Sequence, residues 1–79
     1  MTQDEIRSVL RGVARDVFED DDLEVPDSLG PQDVKGWDSL GHIRLISATE
    51  EAFGVTFTLE EIEGAKSMGQ IVAFVSGKA

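Results

Sequence analysis

Thr2 stands three residues ahead of Glu5, Thr58 ahead of Glu61 and Ser67 ahead of Gln70, each time at the edge of an apolar run. This is the spacing of the capping box. The hydroxyl accepts the backbone N–H of the third helical residue, and the Glu or Gln side chain reaches back to the capping residue. Three helix starts are thereby written into a chain of 79 residues. Behind the first, Ile6, Val9, Leu10, Val13 and Val17 recur on one face of a helix over residues 2–18. The run 19-EDDDLE-24 stops that helix, because acids are disfavoured at the negative end of the helix dipole. It lacks the aspartate spacing and central glycine of a calcium loop and reads as solvated turn.

Residues 20–37 form a long connection. Pro26, Gly30, Pro31 and Gly36 break its periodicity, while Leu23, Val25, Leu29 and Val34 are expected to tuck under it. A connection this long in a small domain is uncommon and often functional. A second helix is expected from Asp38 to Phe53. Ile43, Ile46 and Phe53 lie on its inner face, flanked by Leu45, Ala48, Thr49 and Ala52, and Glu50 and Glu51 point outward. Gly54 follows as a residue that tolerates the left-handed conformation of a helix end. The Thr58 box opens a short helix ending at Gly64, and the Ser67 box opens a last helix with Met68, Ile71, Val72 and Val75 as its buried stripe. The chain shows no internal repeat and no low-complexity segment. The expected fold is all-α: one domain over residues 1–79, a small four-helix bundle of three main helices and one short one, with a long first loop.

Composition removes several classes of function. There is no cysteine, hence no disulfide or thiolate metal site. Apolar runs such as 71-IVAFV-75 are far too short to span a membrane. The N-terminal segment is too charged for a secretory signal, so a cytoplasmic location is expected; the chain is also expected to be a monomer. The net charge is −9 and uneven: residues 1–15 hold three arginines against two acids, residues 16–79 four cations against fourteen acids. Such a surface repels nucleic acid. It suits basic protein partners, or serves solubility alone.

The chemically loaded stretch is 36-GWDSLGHIRLI-46, where Ser39 sits at a helix start between Asp38 and Leu40. Three readings compete. Asp38 or Ser39 is a plain N-cap, and the domain is a helical interaction module. Or Asp38, Ser39 and the single histidine, His42, form a nucleophilic site. Against this, Asp38 is too close in sequence to orient His42 from behind, and Trp37 stands where a G-x-S-x-G elbow needs its first glycine. Or Ser39 is a carrier residue. Its hydroxyl takes a phosphodiester at the positive end of a helix, and another enzyme does the chemistry.

With Asp38-Ser39-Leu40 near mid-chain, the sequence resembles the acyl carrier proteins, whose attachment motif is D-S-L. The likeness continues through 50-EEAF-53, 60-EEIE-63 and 71-IVAFV-75, and covers essentially the whole chain. It implies that Ser39 carries 4′-phosphopantetheine, taken from coenzyme A by a phosphopantetheinyl transferase. The arm's thiol then holds an acyl or aminoacyl group as a thioester, and the protein itself is not an enzyme. Loading and processing enzymes are the implied partners. Asp38 would present Ser39 to the transferase. Leu40 and Ile43 would offer apolar contact beside the arm, and Arg44, Glu50 and Glu51 would complete a docking face on the second helix.

Fatty-acid-synthesis carriers usually show acids where this chain has Gly41 and Arg44, and a small residue where it has Trp37. The pattern looks more like a stand-alone carrier of a specialised polyketide, modified-acyl, aminoacyl or lipid pathway. His42 is expected to face solvent, and Arg44 reads as an ordinary surface residue or a partner contact. Trp37 either pins the loop or meets a partner. Ile43, Ile46, Phe57, Ile62 and Ala65 are the expected lining of a cargo groove between the second, third and last helices.

Overall fold

The computed structural model describes residues 1–78. Four helices follow one another: α1 (Gln3–Val17), α2 (Ser39–Phe53), α3 (Leu59–Gly64) and α4 (Met68–Lys78), with a 3-10 turn at Pro31–Asp33 inside the first loop. Among the described residues there is no strand. The expected all-α bundle, three main helices and one short, is the fold found.

The capping boxes form as the spacing predicts. Thr2 Oγ1 accepts the Glu5 N–H at 3.2 Å, and Glu5 Oε1 accepts the Thr2 N–H at 2.9 Å. Thr58 and Glu61 repeat the pair at 3.1 and 2.9 Å. The third box closes one residue early: Ser67 Oγ accepts from the Gln70 N–H at 3.3 Å, but Gln70 Oε1 takes the Lys66 N–H at 2.8 Å.

α1 packs against both α2 and α4. Its buried stripe is Ile6, Leu10 and Ala14, with Val13 and Val17 partly covered. Val9 departs from expectation and is 39% exposed. It sits about 100° round the helix from the centre of that stripe, so it falls on the flank. In α2 the inward face is Gly41, Leu45, Ile46 and Thr49. Ile43 stands two residues before Leu45, about 160° away, and is 53% exposed rather than inside. The buried Thr49 is satisfied by its own helix, its hydroxyl donating to the Leu45 carbonyl at 2.7 Å.

The first loop is fastened along its length. Leu29 and Val34 are buried, and Leu23 and Val25 pack partly against the core. The carbonyls of Leu29 and Asp27 accept the N–H groups of Met68 and Gly69, both at 2.9 Å, which satisfies two free donors in the first turn of α4. Glycine at position 69 suits this approach, since a Cβ there would crowd Asp27, at 3.0 Å from its Cβ. Arg7 grips the Asp27 carboxylate with Nε and Nη2, at 3.0 and 2.9 Å. That hydrogen-bonded ion pair lowers the carboxyl below the usual aspartate range. Arg15 Nε donates to the Leu23 carbonyl at 2.8 Å. Thus anchored to α1 and α4, the loop delivers Asp38 and Ser39 to a fixed place.

Candidate functional site

Asp38 is extended, and its Oδ1 accepts the Gly41 N–H at 2.8 Å. Its carbonyl accepts the His42 N–H at 2.8 Å. Asp38 is therefore the N-cap, and Ser39 is the first helical residue, exposed and outside the capping. Of the two capping candidates in the sequence, only Asp38 takes the role.

Gly41 is buried against the preceding turn. A Cβ there would run into the Gly36 carbonyl oxygen, so the Gly36 turn lies on α2 only because position 41 has no side chain. The glycine that replaces a docking acid in the sequence is thus a packing residue.

Trp37 is 3% exposed and lies 5.8 Å, ring to ring, from Phe18 at the end of α1. It also stacks on His42 at 6.1 Å. Its Nε1–H donates to His42 Nδ1 at 2.9 Å. An indole nitrogen only donates, so Nδ1 bears no proton. Nε2 then carries the proton and donates to the Ile62 carbonyl of α3 at 2.7 Å. The solvent-facing placement expected for His42 is corrected: it is half-buried and bridges the loop to α3. Trp37 pins the loop. With both ring nitrogens engaged, His42 offers Ser39 no general base, and the nucleophilic reading loses its necessary partner.

A groove of about 520 Å³ opens beside Ser39 between α2 and α3. Trp37, His42 and Ile43 line it from one side and Leu59, Ile62 and Ala65 from the other, with Asp38, Ser39, Glu63 and Lys66 as its polar lining. Of the expected lining, Ile43, Ile62 and Ala65 are present. Ile46 and Phe57 belong to the core, at 2% and 5% exposed. Leu40 (60%), Ile43 and Leu59 (70%) leave apolar side chains open to solvent around Ser39. On the other flank, Arg44 lines a smaller cleft of about 280 Å³ with Phe18, Glu19 and Leu40. Glu51 is exposed as expected. Glu50 is not free in the same way: half-buried, it accepts the Phe57 N–H on Oε2 at 2.7 Å and ties down the loop after α2.

The tetrapeptide Asp-Ser-Leu-Gly occurs twice, at 27–30 as well as 38–41. Structure separates the copies. Asp27 is held by Arg7, Ser28 lies in a turn and Leu29 is buried. No α-helix begins there, and the cleft beside it, lined in part by Arg7, Val25 and Pro26, lies against α1. At the second copy a helix start, an exposed hydroxyl and a groove coincide.

A protein-family model described as "Phosphopantetheine attachment site" matches residues 5–75. An acyl carrier protein of Thermosynechococcus vestitus (strain NIES-2133 / IAM M-273 / BP-1) is 33% identical over 79 residues, covering 99% of this chain and 96% of that protein. The chain belongs to the acyl carrier protein family. A second acyl carrier protein, from Prochlorococcus marinus (strain MIT 9515), is 31% identical over 78 residues, 99% of this chain and 98% of its own. Acyl carrier proteins bear covalent 4′-phosphopantetheine and are carriers, not catalysts. The geometry fits that group: an accessible hydroxyl, a helix N-terminus suited to a phosphodiester, and an adjoining groove that is mostly apolar.

The bridge from Trp37 through His42 to α3 escaped the sequence reading, though a signal for it was present. Trp37 is the residue before the N-cap and His42 the fourth helical residue, the two positions that pack together in a hydrophobic staple.

Proposed function

We propose that Ser39 carries the 4′-phosphopantetheine arm and that the groove between α2 and α3 shelters what the arm holds. The observation that supports this most is the division of labour at the start of α2. Asp38 makes the cap, which leaves the neighbouring hydroxyl exposed and without a structural task. A helical interaction domain with Ser39 as its cap has no such support.

Loading joins Ser39 Oγ to phosphorus as the nucleotide part of coenzyme A departs, with the hydroxyl proton taken up by the transferase. Nothing in this chain needs to act as a base. The N–H groups in the first turn of α2 favour the charge of the phosphodiester. The arm supplies a thiol, which a cysteine-free chain cannot provide for itself.

Phosphopantetheinyl transferase and acyl- or aminoacyl-loading and processing enzymes are the proposed partners. Asp38 and the exposed Leu40 and Ile43 meet them beside Ser39, with Arg44 on the flank and Glu51 further along α2. Glu50 adds charge while one of its oxygens stays committed to Phe57. A fatty-acid-elongation enzyme that expects acids along this helix meets none at Gly41 and a cation at Arg44. We therefore assign the carrier to a specialised pathway. The test is an intact mass after incubation with coenzyme A and a broad-specificity transferase. Gain of one arm per chain is expected, and an unchanged mass refutes the reading.

A further inference from the structure

The groove wall is held by a chain of two hydrogen bonds that depends on one protonation state. Trp37 Nε1–H donates to His42 Nδ1 at 2.9 Å, and His42 Nε2–H donates to the Ile62 carbonyl at 2.7 Å. Only a neutral imidazole with its proton on Nε2 can serve both. Trp37, His42 and Ile62 all line the groove beside Ser39.

We propose that His42 is a positioning residue for this groove, and one worked by a proton. Neutral, it joins the loop before α2 to α3 and fixes two facing walls. Protonated, it has an N–H at Nδ1 where it needs an acceptor, and two donors confront each other at 2.9 Å. Either the indole leaves its buried seat or the imidazole swings away and releases the Ile62 carbonyl. In both cases one wall of the groove moves. Histidine is the side chain whose ordinary titration falls between about pH 5 and 8, so the range is accessible to a folded protein.

The charged groups that line the same groove are Asp38 on the N-cap, Glu63 on α3 and Lys66 in the connection to α4. From α1 the ring packed on Trp37 is the uncharged Phe18. The consequence for cargo rests on the Ser39 reading, because a groove with a displaced wall no longer encloses a group borne there. The latch itself does not, and it is tested on unmodified protein so that the two ideas fail separately.

The chain has one tryptophan and one histidine, so each gives a single signal. The experiment is a nitrogen-15 NMR titration of the unmodified protein from about pH 8 to 5. The Trp37 indole N–H and the backbone amides of Ile62 and Glu63 are expected to shift together with the His42 imidazole, at one midpoint, while the protein stays folded. In His42→Gln, which keeps an acceptor and a donor but does not titrate, those signals are expected to stay flat. An indole signal indifferent to imidazole protonation overturns the proposal. So does the same transition in His42→Gln, or an imidazole that takes no proton before unfolding. Should His42→Gln not fold, Trp37→Phe decides. With the indole donor gone, no donor confronts a protonated Nδ1, so the Ile62 and Glu63 amides are expected to stay in place as the imidazole takes its proton, and an unchanged amide transition overturns the latch.

Discussion

The Asp38 carboxylate accepts the Gly41 N–H at 2.8 Å, and this one contact relieves Ser39 of any capping duty. Losing such a cap costs about 1 kcal/mol. Asp38→Ala is therefore expected to lower unfolding free energy by that amount, whereas Ser39→Ala, an exposed change, stays within about 0.5 kcal/mol of the wild type. Urea denaturation of the three proteins reads the difference. Equal losses would mean that the serine shares the cap.

Gly41 and Gly12 sit in helices with opposite surroundings. A Cβ at position 41 meets the Gly36 carbonyl, and one at position 12 meets nothing within 4 Å. Gly41→Ala is expected to cost roughly 1–3 kcal/mol through forced repacking. Gly12→Ala is expected to gain about 0.5–1 kcal/mol of helix propensity. Thermal unfolding should move in opposite directions for the two. A well-tolerated Gly41→Ala would return that position to the role of a missing docking acid.

Arg44 is exposed on the flank of α2 and can be changed without touching the core. Exposed charge pairs are worth roughly 0–1 kcal/mol each. Arg44→Glu is expected to speed association of the loaded carrier with a fatty-acid-elongation enzyme by roughly two- to fivefold. The gain should shrink as salt rises. Rate constants at two ionic strengths check it, and equal rates for both carriers would show that this flank does not select partners.

The ion pair between Arg7 and Asp27 makes stability depend on acidity. The hydrogen bond from Arg7 holds the Asp27 carboxyl below its ordinary value of 3.8. A lowered carboxyl contributes stability that is complete above the ordinary value and is lost as pH falls through the folded one. Asp27→Asn is therefore expected to be less stable than the wild type near neutrality and to close part of that gap below about pH 4. Denaturation midpoints at several pH values test the sign. A gap that widens in acid would contradict it.

Much of this fold lies open in short-range spacing. The capping boxes at Thr2 and Thr58 and the stripe of α4 involve residues three or four apart, where one helix turn sets the partners. The inner face of α2 was harder to read because two of its four buried residues, Gly41 and Thr49, are not hydrophobic. An apolar count is thus drawn to Ile43, which the helix turns outward. Glu50 reads as a free surface acid because its partner, the Phe57 N–H, lies in a loop no periodicity governs. The loop anchors from Arg7 to Asp27 and from Asp27 to Gly69 join distant segments and are fixed only by tertiary packing. The attachment motif was legible: its earlier copy at Asp27-Ser28-Leu29 falls in the segment that Pro26, Gly30 and Pro31 mark as loop, and the structure agrees, with Leu29 buried and no α-helix starting there.

That duplication makes location, not mass alone, the decisive measurement. The unmodified chain is treated with coenzyme A and a broad-specificity transferase, then digested and fragmented to place the added group, beside Ser39→Ala and Ser28→Ala. The account predicts one arm, on Ser39, retained in Ser28→Ala and absent from a folded Ser39→Ala. An arm on Ser28, or one still accepted by Ser39→Ala, would contradict it.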